Sequence, residues 1–461
     1  MIKQVLICYQ RFFIESSPKE VSANGSLCVR EYEQRKGIYR KFVFVSVAHQ
    51  SSVMTRWICL FTVGLLMAVP ASAEIRSEET IWSAETGTSI SLITILSGKS
   101  LYSSFGHTAV RVIDRGAKSD LLYNYGQSAR PFDIPFLANL VVGRMEFMVD
   151  VFKTGDAVNF YKTVENRTII EQTLNIDEEH AKALKARLEH DSKPANRLYN
   201  YRFFTDNCTT RVWLLLKDVV MDHDPEWPPS SPRSLRLPIG QVLASKPMLS
   251  IFISFLLGPS TDRPRALETS LFLPLELMDQ VGGPRVQGAS NRENFVAKPR
   301  LLFEAAQEDP KKNVMTPMTI LLSLVVLSGL LAAFRSQTQW LSLIFDIVLF
   351  GAILAAGLGI LLLWGVAGYR EVGMNTNLLW ATPFPLIGLI WSRFDGRLRV
   401  PAALFALESL GSLVVAVFGG LGGQTVSTEI RIVCAIIFIR CVTRFGFAAC
   451  IHGPNRNGAG K

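Results

Sequence analysis

The sequence predicts an α+β domain followed by an α-helical membrane domain. Three observations carry that reading. Short segments rich in Ile, Val, Tyr, Phe and Thr crowd residues 90–174, amphipathic helical patterns follow without strict alternation, and long apolar runs fill the last third.

The chain starts ambiguously. Residues 1–53 are mixed and carry no repeating apolar period. From Met54, Thr55-Arg56-Trp57 leads into an apolar run, Ile58 to Val69, and then Pro70-Ala71-Ser72-Ala73. A basic start, a short hydrophobic centre and a small-x-small end predict a secretory signal peptide over 54–73, cleaved after Ala73. The run is short for a membrane span. Residues 1–53 are then expected to be an upstream extension from a start codon assigned too early. The alternative is a cytoplasmic extension anchored by residues 58–73.

Residues 74–313 are expected to form the α+β domain, periplasmic by virtue of the leader. Strands are expected at 90–96, 107–113, 120–126, 145–151 and 167–174. In the second, Val110 and Val112 point to one face while His107, Ala109 and Arg111 point to the other. Asp177 with Glu178 and Glu179 starts a helix that buries Ala181, Leu184 and Leu188. A second helix runs from about Cys208 to Val220. Pro225, Pro228, Pro229, Pro232 and Pro238 then mark a loop or boundary, and the part from about 239 is expected to be helical. The apolar run Met248–Leu257 is too short to cross a bilayer and fits either a core helix or an interfacial one.

Residues 314–450 predict four to five membrane helices, with 451–461 a cytoplasmic tail. Apolar segments at about 315–334, 341–365, 376–392 and 400–423 are long enough to span, and a fifth at 430–450 is interrupted by Arg431, Arg440 and Arg444. Starting outside, these spans put Arg335 and the loop carrying Arg393, Arg397 and Arg399 in the cytoplasm, as the positive-inside rule requires. Lys311 and Lys312, just outside the first span, run against it. Asp346 and Glu408 lie within spans, where charge is expensive and marks candidates for a specific role. Gly419-Gly420-Leu421-Gly422-Gly423 lacks the Lys-Ser/Thr ending of a phosphate loop and reads as a turn.

The net charge of +9 resolves when divided along the chain. Residues 74–313 carry 29 basic and 30 acidic side chains, so the surplus sits in the flanks. No basic stripe marks the folded part, and nucleic acid is not an expected partner. The seven cysteines, at 8, 28, 59, 208, 434, 441 and 450, show no CxxC spacing, which excludes zinc ribbons and disulfide scaffolds. His223 between Asp222 and Asp224 reads as a surface turn rather than a metal site. Neither a metal nor a cofactor is expected.

Between the leader and the membrane, Cys208 is the sole cysteine. An oxidising compartment pairs or eliminates cysteines, so a lone thiol raises the question of its chemistry. At a helix start the dipole favours thiolate, and nearby backbone N–H groups can serve an oxyanion. His107 is the candidate base and Asn124, on the neighbouring strand, the amide that orients it. The bland reading is a small buried thiol and a histidine satisfied by hydrogen bonds.

The run Ser97 to His107, then Tyr123-Asn124-Tyr125-Gly126, then Asn196 to Tyr201 and Phe203-Phe204-Thr205-Asp206-Asn207-Cys208-Thr209-Thr210-Arg211 resembles the Lnb N-terminal periplasmic domain family of Gram-negative bacteria. Members commonly carry a C-terminal membrane region, and Asn375-Thr376-Asn377-Leu378-Leu379-Trp380 resembles the motif found there. The resemblance spans about residues 88–425. The order of histidine strand, polar strand and cysteine helix also resembles the circularly permuted papain-like hydrolases. That likeness implies a permuted papain-like domain in which Cys208 attacks, His107 serves as base and acid, and Asn124 orients. The expectation is an inner-membrane protein whose periplasmic domain performs thiol hydrolysis or acyl transfer on an amide or ester of the cell envelope. The alternative is a non-catalytic accessory or chaperone-like module that binds an envelope protein.

Overall fold

The structure, a computed structural model, describes residues 87–223, 233–266, 271–282, 295–306, 316–392 and 399–450. The expected leader, residues 1–53, the prolines from Pro225 to Pro232, Lys311, Lys312, the loop residues Arg393 and Arg397, and the tail 451–461 lie outside the described residues.

Strands β1 (Thr88–Ile95), β2 (His107–Asp114), β3 (Ser119–Ser128), β4 (Glu146–Lys153), β5 (Ile169–Thr173), β6 (Leu198–Asn200) and β7 (Arg300–Phe303) form one sheet in the order β6-β4-β3-β2-β1-β5-β7. The β1–β5, β3–β4, β4–β6 and β5–β7 pairs are antiparallel. The five strands expected from alternation are all present, and β6 and β7 are additions. Both additions are short, three and four residues, and both sit at sheet edges, so neither carries an alternating pattern long enough to read.

Helices α1 (Ile134–Val141), α2 (Thr154–Thr163), α3 (Glu178–Asp191), α4 (Cys208–His223), α5 (Arg236–Val242), α6 (Pro247–Leu256) and α7 (Pro274–Gly282) complete the domain. α3 begins where Asp177 accepts the His180 N–H at 2.8 Å, and Glu178 and Glu179 favour the positive end of its dipole. Its Ala181, Leu184 and Leu188 turn inward at helical spacing. With Val212 and Leu216 of α4 they cover Val110, Val112, Tyr123 and Tyr125 of the sheet. Each leucine buried in this way contributes about 2 kcal/mol.

A buried ion network on β2 went unread in the sequence. Arg111 donates to Asp120 Oδ1 at 2.9 Å and to Glu171 Oε1 at 2.9 Å, and Glu171 Oε2 accepts from Arg300 Nε at 3.0 Å. The group ties β2, β3, β5 and β7 together. Burial pushes the Glu171 carboxyl up, but Arg111 and Arg300 overrule it and hold it below the ordinary carboxylate range.

The C-terminal helices are α8 (Pro317–Ala333), α9 (Gln339–Leu361), α10 (Phe384–Trp391), α11 (Arg399–Phe418) and α12 (Thr428–Cys450). By length and composition, Gln339–Val366 and Arg399–Phe418 are able to cross a bilayer, and Pro317–Ala333 is a shorter apolar helix. The segment expected to span over 376–392 is not one continuous helix. It is a 3-10 turn, Thr376–Leu379, followed by the eight residues of α10, which are about 12 Å long. Pro383 and Pro385 interrupt the pattern, and the polar head of the segment turns aside to bond elsewhere. The interrupted fifth segment, by contrast, is one helix of 23 residues. Its Arg440 donates to Asp346 Oδ1 at 2.6 Å and to Ser328 O at 3.3 Å, and the Arg444 guanidinium lies 2.6 Å from Asp346 Oδ2. Asp346 and Arg440 neutralise each other and pin α8, α9 and α12 together. Glu408 Oε2 accepts from Thr382 Oγ1 at 2.5 Å, joining α11 to the segment before α10.

The head of the broken segment holds α6. Asn375 Nδ2 donates to Phe255 O and Leu256 O, both at 3.0 Å, and Asn377 Nδ2 donates to Phe255 O at 2.8 Å. Gln424 Nε2 adds Leu257 O at 3.1 Å. The last carbonyls of a helix have no partner within it, and here three amides supply them. Gly258 lies so close that a Cβ would stand 2.1 Å from Gly373 O, and its N–H donates to Glu371 O at 2.7 Å.

Replacing Glu171 by Ala should lower the stability of the domain by about 3 kcal/mol, since Arg111 is left buried with Asp120 alone. Because the folded carboxyl titrates below its unfolded value, the stabilisation by Glu171 is present at neutral pH and lost as acid takes the pH down through the lowered value. Thermal unfolding of the full chain in detergent at neutral and acid pH measures both. The variant's deficit should shrink in acid.

Candidate active site

α4 starts at Cys208 because Asn207 caps it. Asn207 Oδ1 accepts from the N–H groups of Thr209 and Thr210, both at 2.8 Å, and Thr210 Oγ1 accepts from the Asn207 N–H at 2.7 Å. This reciprocal pair is a capping box in which Thr takes the place of Glu. Asn207 Nδ2 donates to Phe203 O at 2.7 Å and Phe272 O at 2.9 Å, which fixes the amide's orientation. One expectation changes here. The N–H groups of Thr209 and Thr210 are spent on the cap, so an oxyanion at the helix start has Cys208's own N–H to rely on rather than theirs.

β3 is bent to admit the helix start. The β3–β4 register slips between Asn124, opposite Asp150, and Gln127, opposite Met148, which is a bulge at Tyr125 and Gly126. Gly126 has φ +84°, and a Cβ there would lie 3.2 Å from Cys208 Cβ. Glycine serves both needs, the left-handed backbone and the close approach.

His107 leads β2 and Asn124 lies on β3 beside it. His107 Nε2 and Asn124 Oδ1 are 3.1 Å apart. Asn124 Nδ2 donates to Leu122 O at 3.1 Å, so the amide's carbonyl oxygen is the atom that faces the ring. That oxygen only accepts, and Nε2 must therefore carry the proton, leaving Nδ1 with its lone pair. Tyr161 OH is a second, weaker donor to the same oxygen at 3.5 Å. Asn124 is buried.

Thr108, next in β2 after His107, reaches the thiol. Its backbone N–H favours the Cys208 thiolate, and its Oγ1 lies 3.2 Å from the Oγ1 of Thr209, the residue after Cys208. The structure thus joins His107 to Asn124 directly and brings Cys208 against the residue that follows His107.

Burial dominates the electrostatics. It pushes the Cys208 thiol above its ordinary range, outweighing the Thr108 and Thr209 hydrogen bonds that favour thiolate. The dipole argument for a resting thiolate therefore loses to desolvation. Burial also takes His107 down to about 4, with the Arg167 charge adding to it and the Asn124 hydrogen bond opposing it. At neutral pH the two groups rest as thiol and neutral imidazole.

Several neighbours escaped the sequence reading. Arg167 is buried, donates to Leu96 O at 2.8 Å and to Glu165 Oε2 at 2.8 Å, and stands over the Tyr161 ring at 5.6 Å. Lys246 donates to Ser104 Oγ at 2.7 Å, holding the loop before His107. Asp150, cross-strand from Asn124, is buried with Oδ2 unbonded, and burial raises its carboxyl. Among the described residues, no cluster of His, Cys, Asp and Glu is arranged to hold a metal.

Residues 83–235 match the family model of the Lnb N-terminal periplasmic domain, and residues 309–448 match that of the Lnb transmembrane domain. No curated protein and no solved structure matches the chain.

Alkylation of Cys208 near neutral pH should be fastest in wild type, slower in Asn124→Ala and slowest in His107→Ala, because a neutral imidazole assists proton loss from a thiol that does not ionise by itself. The advantage of wild type should vanish as the pH falls toward about 4, where His107 takes up its proton. It should also narrow in strong alkali, where the thiolate forms unaided. Rates of iodoacetamide labelling at Cys208, read by peptide mass across pH, check all three statements.

Proposed function

This chain belongs to the Lnb N-terminal periplasmic domain family and is an inner-membrane protein whose main domain is periplasmic, and we propose that this domain is a thiol-dependent hydrolase or acyltransferase of permuted papain-like type. Its substrate is an amide or ester of the cell envelope. The observation that carries the reading is the tautomer set at His107. Asn124 Oδ1 holds the Nε2–H at 3.1 Å, so Nδ1 is the basic atom, and the start of α4 meets β2 one residue beyond His107, with Thr209 Oγ1 3.2 Å from Thr108 Oγ1.

In this mechanism Cys208 attacks the acyl carbonyl while His107 Nδ1 takes the thiol proton. The C–S bond forms as the carbonyl π pair moves to oxygen, and the oxyanion is met by the Cys208 N–H. The imidazolium keeps its Nε2–H on Asn124 and returns the Nδ1 proton to the leaving amine or alcohol, which departs with the electrons of the broken bond. A thioester on Cys208 remains. Water or a second acceptor, deprotonated by the neutral His107, then attacks it and regenerates the thiol. Starting from a neutral pair suits a buried site, since charge develops only as the carbonyl becomes an oxyanion.

Turnover of a panel of acyl thioesters and activated esters by the full chain in detergent tests this. Cys208→Ser and His107→Ala should each lose about 10²–10⁴-fold in kcat/KM, and Asn124→Ala less. Activity should hold down to about pH 4 to 5, following His107, rather than falling near an ordinary imidazole's value. Turnover that survives Cys208→Ala would instead favour the accessory or chaperone-like reading.

A further inference from the structure

Two helices of the periplasmic domain have no buried side chain. α1 reads Ile134-Pro135-Phe136-Leu137-Ala138-Asn139-Leu140-Val141, with Ile134 80% and Leu137 57% exposed. α6 reads Pro247-Met248-Leu249-Ser250-Ile251-Phe252-Ile253-Ser254-Phe255-Leu256, with Met248 63% and Phe252 57% exposed. Neither contains a charged residue. Leaving four large apolar side chains in water forgoes about 2 kcal/mol each, and contiguous patches of this kind mark interaction surfaces.

Both helices are fastened at one end of the membrane segments. Leu140 packs with Ile360, Ala367 and Tyr369, and Gly143 approaches so closely that a Cβ would stand 2.4 Å from Ala367 O. α6 is held by the amides of Asn375 and Asn377, with the Phe255 ring 5.7 Å from Trp380. The span Gln339–Val366 ends in exposed Leu358, Leu361, Leu362 and Val366, and α1 packs against that end. The apolar surface of the span therefore continues onto α1. Exposed Arg144 and exposed Arg130, the latter paired with Glu146 at 3.0 Å, flank α1 on either side.

We propose that α1 and α6 lie in the periplasmic leaflet of the inner membrane, their exposed apolar side chains lodged at the boundary of headgroup and acyl chain. The N-terminus of α1 is capped by Asp133, which accepts the Phe136 N–H, and the last carbonyls of α6 are taken by the Asn375 and Asn377 amides, so these groups are bonded before they meet the lipid boundary. The occupant is lipid rather than protein because the patch is continuous with the lipid-facing surface of a span. The inference rests on the membrane placement and is independent of the chemistry at Cys208. β3 leads into α1, so the strand that carries Asn124 and Gly126 runs directly to the membrane surface.

Photolabelling tests it. The full chain is placed in nanodiscs of phosphatidylethanolamine and phosphatidylglycerol containing a trace of phospholipid with a diazirine within its acyl chain, irradiated, and mapped by peptide mass. Adducts on residues 134–142 and 248–252, many-fold above those at exposed Val164 and Leu198, are the expected result. Adducts confined to α8–α12 would overturn the proposal, as would equal labelling at Val164 and Leu198. Substituting Leu137→Asp with Phe252→Asp should abolish the adducts on both helices while leaving those on α9 unchanged. Retention of the adducts on both helices in that variant would also count against the proposal.

Discussion

The hydrogen bond between His107 Nε2 and Asn124 Oδ1 is the constraint on which the candidate site depends. It fixes the ring's tautomer because the amide cannot turn, its other end being held by Leu122 O. It also requires β2 and β3 to be neighbours in this register. The network of Arg111, Asp120, Glu171 and Arg300 secures those strands from the side. The bulge at Gly126 then lets α4 bring Cys208 to the same end of the sheet. Remove the amide and the imidazole is free to rotate or change tautomer, and the basic atom is no longer defined.

Burial sets how such a pair works. A thiol at a helix start is commonly a thiolate, yet here desolvation holds Cys208 protonated and His107 neutral. A neutral thiol is a poor target for periplasmic oxidants and disulfide exchange, which react with thiolate. In the proposed mechanism, the same property that protects a lone cysteine in an oxidising compartment makes it dependent on His107 for reaction. Two demands that seem opposed are met by one burial.

The sequence was most legible where one face of an element is dry and the other wet. Helical spacing at Leu184 and Leu188 marked a helix with its buried side, and the alternation at Val110 and Val112 marked a strand, although β2 is buried on both faces. Cys208, His107 and Asn124 stood out by residue type and order, and the structure bonds His107 to Asn124 and sets the start of α4 beside Thr108. What stayed hidden depends on partners distant in the chain. Arg440 reads as an interruption until Asp346 is opposite it, since a buried ion pair between α9 and α12 leaves no local trace. The segment at 376–392 is apolar enough to pass for a span, and its break becomes visible once Asn375 and Asn377 turn to the carbonyls of α6. Backbone N–H groups near Cys208 were expected to serve an oxyanion, and those of Thr209 and Thr210 are taken by Asn207, whose capping role only the geometry reveals.

The most direct test is to look for the covalent intermediate. The full chain is purified from envelopes, quenched in acid, digested and searched by mass for an acyl group on the peptide carrying Cys208, before and after treatment with neutral hydroxylamine. A hydroxylamine-labile acyl group on Cys208 in wild type, absent in Cys208→Ala and strongly reduced in His107→Ala, is the predicted result. An unmodified Cys208 in every sample, or an acyl group whose abundance is indifferent to His107, would contradict the account.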